Sequence, residues 1–251
     1  MPTASATPPI FAQVLSEAYE VFACPAPSNL NVCTKCCMDL ADHDAMLACH
    51  PSQIEEKHLI SWFNAAFVLS EFPQSVRTFL APRIMAFAAG TNDYIHHELM
   101  FERLRLGDAQ LWSDAQNDVI RAYHRTYFDW YRRRSEDDPF LDDILCTFSL
   151  THFPAEDGID CLNRWRDEEL FDRLWLDSQH AGGATLWQSV WWDWDPGGMH
   201  PSIAEAKRQI DAWYYGPVLR GRIDRFLETA DPTTNRWSRA AELEVALARG
   251  R

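Results

Sequence analysis

The densest run of reactive side chains is Cys33-x-x-Cys36-Cys37, with Cys24 upstream and His43, Cys49 and His50 downstream. Two thiolates at this spacing can grip one tetrahedral zinc while the backbone turns around it, and the remaining ligands would come from Cys24, Cys37, His43, Cys49 or His50. The set expected to hold the ion is Cys24, Cys33, Cys36 and Cys37. Buried thiols packed as small hydrophobes rank ahead of the metal, and dithiol redox work by Cys33 and Cys36 ranks below both. The cofactor expectation is therefore none, or one structural zinc.

A second constellation packs Trp187, Trp191, Trp192 and Trp194 beside Asp193 and Asp195. Trp187 and Trp191 would share one helical face and are expected in the core. Trp192, Asp193, Trp194 and Asp195 remain as a recognition patch, because aromatic rings and carboxylates together bind Arg or Lys by stacking and charge-assisted hydrogen bonds.

Two weaker arrangements complete the set. Glu55-x-x-His58 is half of the paired motif of di-iron bundles, but no second copy exists, so it reads as a surface contact or a helix-start feature. Asp93, His96, His97, Glu98 and Glu102 could serve acid–base chemistry, although a solvated helix face with one histidine against the core is the simpler reading. The sequence contains no G-x-S-x-G, no H-E-x-x-H, no phosphate loop and no dinucleotide glycine fingerprint.

The elements that must position these residues are helical. Ile10, Phe11, Val14, Leu15, Ala18, Val21 and Phe22 fall on one face after Pro8-Pro9, which suits a helix start. The stretch 24–37, rich in Pro, Asn and Cys, reads as an irregular loop. A short helix over 38–49 follows, and Ser52-Gln53-Ile54-Glu55 has the form of a capping box opening the next helix through His58, Leu59, Trp62, Phe63 and Ala66.

Further helices are expected through Val76, Phe79, Leu80, Ile84 and Phe87, with Pro82 inside and Gly90 at the end, and over Tyr94 to Leu106. The next begins at Ser113 and ends near Arg132, Arg133 and Arg134, where cations oppose the negative helix end. Apolar repeats at 140–148, 159–165 and 170–174 and helices at about 201–215, 218–227 and 235–248 finish the chain. No run of alternating β-branched residues is present. The expected fold is all-α: one irregular multi-helix bundle over 1–251, with 1–9 as a flexible start.

Composition sets the outer limits. Of 251 residues, 47% are hydrophobic and 13% aromatic, ample for a packed core without disulfides. The formal charge of −14 points away from nucleic acid and anionic membrane surfaces; acidity that serves solubility alone is the first reading of it, and a basic protein partner the second. No apolar run is long enough to span a bilayer, and the start lacks the charged and apolar segments of a secretory signal. Seven cysteines, an odd number, then fit thiols in a reducing cytoplasm.

Phe22-Ala23-Cys24-Pro25, Cys33-Thr34-Lys35-Cys36-Cys37 and Asp42-His43-Asp44, followed by Phe79-Leu80-Ala81-Pro82-Arg83, resemble segments of a family of small bacterial helical proteins. Those proteins, themselves uncharacterised, pair an N-terminal Cys-x-x-Cys loop with a later helix that begins through a Leu-Pro-Arg step. Here Ala81 separates Leu80 from Pro82. The resemblance covers the N-terminal part of the chain and implies a helical fold without a particular activity.

Two functional classes follow, beside a scaffold or adaptor role that nothing in the residues excludes. The first is a non-catalytic protein-binding protein, most concretely an immunity protein that neutralises a basic toxin by covering its active surface. The second is a metal-dependent enzyme or zinc-stabilised domain built on the N-terminal Cys/His cluster.

Overall fold

The computed structural model describes residues 7–68, 72–90, 101, 103–133, 141–180 and 201–249. Among these the chain is helical, with no strand and one isolated antiparallel bridge between Val32 and Phe67. The all-α class read from the apolar rhythm is the class observed. The helices gather into two compact units, Met1–Tyr127 and Phe128–Arg251. The division falls within a helix whose apolar repeat runs across it unbroken, so periodicity alone carries no mark of it.

In the first unit, Pro9 opens a short 3-10 turn that leads directly into α1 (Ala12–Val21), since proline's missing N–H is no loss in a first turn. Phe11, Val14, Leu15, Ala18 and Phe22 are buried, as their spacing requires, while Ile10 stays at the surface. α2 spans Leu40–Leu47 and is capped by Asp39, whose carboxylate accepts the Ala41 amide at 2.8 Å.

The capping box expected at Ser52 does not form. Pro51 instead starts a 3-10 turn, Pro51–Gln53, with His50 as its cap, and α3 begins later as Glu56–Asn64 with no side-chain cap at Glu55. A reciprocal box is made at Ser113, where the Gln116 amide donates to Ser113 Oγ at 3.3 Å and the Ser113 amide to Gln116 Oε1 at 3.0 Å. That box opens α5 (Asp114–Tyr131).

α4 spans Gln74–Gly90 with Pro82 inside and is buried along most of its length, which fits its near-continuous apolar sequence. Phe11 stacks at 5.6 Å on Tyr123 and 6.0 Å on Tyr127 of α5, and the Tyr123 hydroxyl donates to the Met85 carbonyl at 2.9 Å. That hydrogen bond satisfies a phenol buried within the core.

The second unit contains α6 (Leu141–Leu150), α7 (Ala155–Asn163), α8 (Asp167–His180), α9 (Pro201–Tyr214), α10 (Pro217–Thr229) and α11 (Asn235–Arg249). Phe128, at the end of α5, packs on Phe148 at 5.7 Å. α8 lies against α11, held by Arg239 to Asp172 at 3.1 Å, Arg236 to Glu168 at 3.1 Å and the Trp175 indole to Glu242 at 2.7 Å.

The amides of Leu141 and Asp142, at the start of α6, donate to the Asp177 carboxylate of α8 at 3.1 and 2.9 Å. Burial pushes that carboxyl well above its ordinary range despite these two donors. Arg132, expected to cap its own helix end, pairs with Asp129 at 3.7 Å and Glu169 at 3.5 Å. Arg134 lies outside the described residues.

Candidate metal centre

The cysteine loop hangs from two anchors. The Leu30 amide donates to His43 Nε2 on α2 at 3.3 Å, and the Trp62 indole of α3 donates to the Leu30 carbonyl at 3.1 Å. Leu30, Val32 and Met38 are buried on either side of the thiols. Asn31 is left-handed at φ 56°, a conformation that asparagine tolerates better than most residues, and its amide donates to Asn29 Oδ1 at 2.9 Å.

Beyond that turn the chain pairs with 66–68. The Cys33 amide donates to the Ala66 carbonyl at 2.8 Å and the Val68 amide to the Asn31 carbonyl at 3.1 Å. The Met38 amide then closes the turn onto the Cys33 carbonyl at 3.0 Å. The cysteines therefore sit on a tight backbone loop whose two ends are fixed.

This loop brings three sulfurs together. Cys33 and Cys36 Sγ lie 3.4 Å apart, as do Cys36 and Cys37 Sγ, and all three atoms fall within 4.8 Å of one another. Cys36 and Cys37 are exposed and Cys33 is half-buried. Among the described residues no other group of three metal-ligating side chains converges in this way.

The proton distribution is uneven. The Cys33 thiol is lowered to about 7 by the hydrogen bond from Cys36 and then by the amide hydrogens of Lys35 and Cys36. Cys36 is pushed up to about 11 by its hydrogen bonds with Cys33 and Cys37. Cys36 thus keeps its proton while stabilising charge on its neighbour.

The donor set passes the test of fit for a thiophilic ion. Zinc with sulfurs at about 2.3 Å holds them about 3.8 Å apart in a tetrahedron, close to the observed sulfur separations. Cys33, Cys36 and Cys37 could therefore hold a metal ion.

Cys24 does not join that group, although its spacing had placed it in the expected ligand set. It is half-buried on the segment before the loop, and burial raises its thiol. The other residues offered as ligands have different partners. His43 accepts from Leu30 and its Nδ1 lies 3.0 Å from Asp44. His50 accepts the Ser52 amide at 3.2 Å, and Cys49 Sγ lies 3.7 Å from the Met46 carbonyl.

His58 stands with Nδ1 3.0 Å from Asp42 and Nε2 3.9 Å from Glu55, a contact between α3 and α2 and not half of a bundle metal site. Trp187, Trp191, Trp192, Asp193, Trp194 and Asp195 lie outside the described residues, as do Asp93 and the His96–Glu98 cluster. What spacing could not show was the part played by Trp62 and by the 66–68 segment. Both act on the loop from more than thirty residues away in sequence, beyond any local pattern.

No family model, curated protein or solved structure matches the chain. Among the described residues no helix is long and apolar enough to cross a membrane.

Proposed function

We propose that the chain is a metal-binding helical protein whose N-terminal unit takes one zinc ion through Cys33, Cys36 and Cys37. The observation that carries this reading is the convergence of three thiols on a loop fixed at both ends. Sulfur donors select a soft or borderline ion over magnesium or calcium. The role supported is structural: the ion would cross-link the Cys33–Cys37 turn, with its fourth ligand supplied by solvent or by a group beyond these three.

Elemental analysis of the full chain, expressed with zinc supplied, tests this. The expected result is about one zinc per chain, lost in Cys33→Ser/Cys36→Ser and retained in Cys24→Ser. Substoichiometric metal in the parent, or zinc retained by the double variant, would overturn it.

A second reading, capture of a basic protein, is favoured by the net charge of −14. An immunity protein covering a basic toxin is its most concrete form, with Trp192, Asp193, Trp194 and Asp195 as the anchors the sequence offers. Co-purification at low and moderate salt is the test. A stoichiometric basic partner released by salt supports it, and a chain that stays alone at both concentrations sinks it.

A further inference from the structure

The same three thiols carry a second chemistry that bears on how the site is controlled. Cys33 and Cys36 are separated by two residues on a closed turn, and their sulfurs already stand 3.4 Å apart. A disulfide needs about 2.05 Å, so closing the bond moves the pair together by only about 1.4 Å. Cys36 and Cys37 are equally close, but joining chain neighbours traps the intervening planar peptide in a strained ring, which disfavours that pairing. The exposure of Cys36 and Cys37 lets a small oxidant reach the cluster. Cys146 and Cys161, by contrast, are buried in the other unit.

We infer that Cys33 and Cys36 form a reversible oxidative modification site, closed to a disulfide by a small-molecule disulfide such as oxidised glutathione, and that closure ejects the bound metal. The second clause rests on the zinc reading above; the first does not.

The exchange balances without a further reactant. One thiolate of the pair attacks a sulfur of the small disulfide, whose S–S bond breaks and releases one glutathione thiolate. The second cysteine attacks the resulting mixed disulfide, forms the Cys33–Cys36 bond and releases the second glutathione. Two protein thiols are oxidised, one glutathione disulfide is reduced to two thiols, and the two protons leave with them. Cys37 alone then remains as a thiolate donor, and one sulfur cannot retain the ion against water.

The experiment uses the full chain in zinc-loaded and metal-free forms, each treated with oxidised glutathione. Intact mass, peptide mapping and a chromogenic zinc indicator are read together. The expected result is loss of two hydrogens, a mapped Cys33–Cys36 link in both forms, release of the zinc from the loaded form, and reversal of both changes by dithiothreitol.

Cys37→Ser should still close the link, whereas Cys36→Ser/Cys37→Ser, with no second thiol in reach, should retain a glutathione adduct on Cys33. A Cys36–Cys37 link, or a persistent glutathione adduct in the parent chain, would overturn the inference. So would zinc that stays bound after the Cys33–Cys36 bond has formed. A parent chain that never loads zinc refutes the metal reading separately, while the map of the metal-free form still decides whether the pair closes.

Discussion

His43 Nε2 accepts the backbone amide of Leu30 across 3.3 Å, so an imidazole whose position in the sequence suits a metal ligand instead holds the cysteine loop onto α2. Its Nδ1 faces Asp44 at 3.0 Å, the arrangement in which Nδ1 carries the hydrogen and Nε2 is free to accept. The Trp62 indole meets the carbonyl of the same residue, so both backbone polar groups of Leu30 are satisfied by side chains from α2 and α3. The thiols are positioned by packing and hydrogen bonding before any ion is considered.

Removing the indole donor tests this. Trp62→Phe keeps most of the buried ring but leaves the Leu30 carbonyl without its partner. The expected cost is about 1–3 kcal/mol, read as a lower urea midpoint with an unchanged slope. The same variant should weaken zinc binding, because Leu30, from which the loop hangs, loses one of its two side-chain anchors and keeps only His43. Wild-type stability together with wild-type zinc affinity would show that the anchor does not matter.

The helices were largely legible from the chain because each depends on a short repeat. Phe11, Val14, Leu15, Ala18 and Phe22 are buried as their spacing demands, and α9, α10 and α11 lie within a few residues of where their breaks and prolines put them. The Ser52 box failed because Pro51 imposes a 3-10 turn that takes Ser52 out of the N-cap position. At Ser113 the same chemistry succeeds with glutamine as the third-position partner. The site was half legible. Cys33, Cys36 and Cys37 converge because the loop is tight, whereas the parts played by Cys24, His43 and His50 depend on which distant residue each one meets.

Arg222 joins three segments of the second unit. Its guanidinium donates to Asp167 from Nε at 2.7 Å, and to the carbonyl of Trp165 at 2.7 Å and those of Leu162 and Asn163 at 3.4 Å each. A cation against the last carbonyls of α7 and the first carboxylate of α8 counters both. Arg222→Ala is expected to cost about 2–4 kcal/mol, since the side chain is nearly buried and its loss removes a charged donor from Asp167 and from the carbonyls of Leu162, Asn163 and Trp165. Arg222→Lys should recover less than half of that, because an ammonium cannot fork to Asp167 and the carbonyls together. Thermal melts of the two variants would read the difference, and a lysine variant equal to wild type would show that charge alone suffices.

His124 sets a pH dependence. It is buried in α5, and desolvation, with a smaller push from Arg125, lowers its imidazole to about 3. In the unfolded chain the ring titrates near ~6.5. Between those values the unfolded chain holds a proton that the folded chain refuses, so stability falls as the pH drops below about 6.5 and stops falling on this account near 3. The slope from this one group is at most about 1.4 kcal/mol per pH unit. Urea midpoints of the parent and His124→Gln should diverge on acidification, with the variant losing less. Parallel curves would mean that the ring is protonated in the folded state.

Gly158 and Gly216 should respond to the same substitution with opposite sign. Gly158 lies within α7, and a Cβ built there would rest 3.5 Å from Leu145 and 3.6 Å from Phe128, ordinary contact distances. Gly158→Ala therefore fills space, removes helix-interior glycine entropy and should raise stability by about 0.5–1 kcal/mol. Gly216 is the residue before α10, and there a Cβ would collide with the Ala212 carbonyl oxygen, a backbone atom of α9 that cannot swing aside. Its φ of −79° is open to any residue, so the penalty at Gly216 is steric and not conformational. Gly216→Ala should cost about 1–3 kcal/mol. Paired melts decide the point: if both variants shift the same way, the spacing between α9 and α10 is not what Gly216 protects.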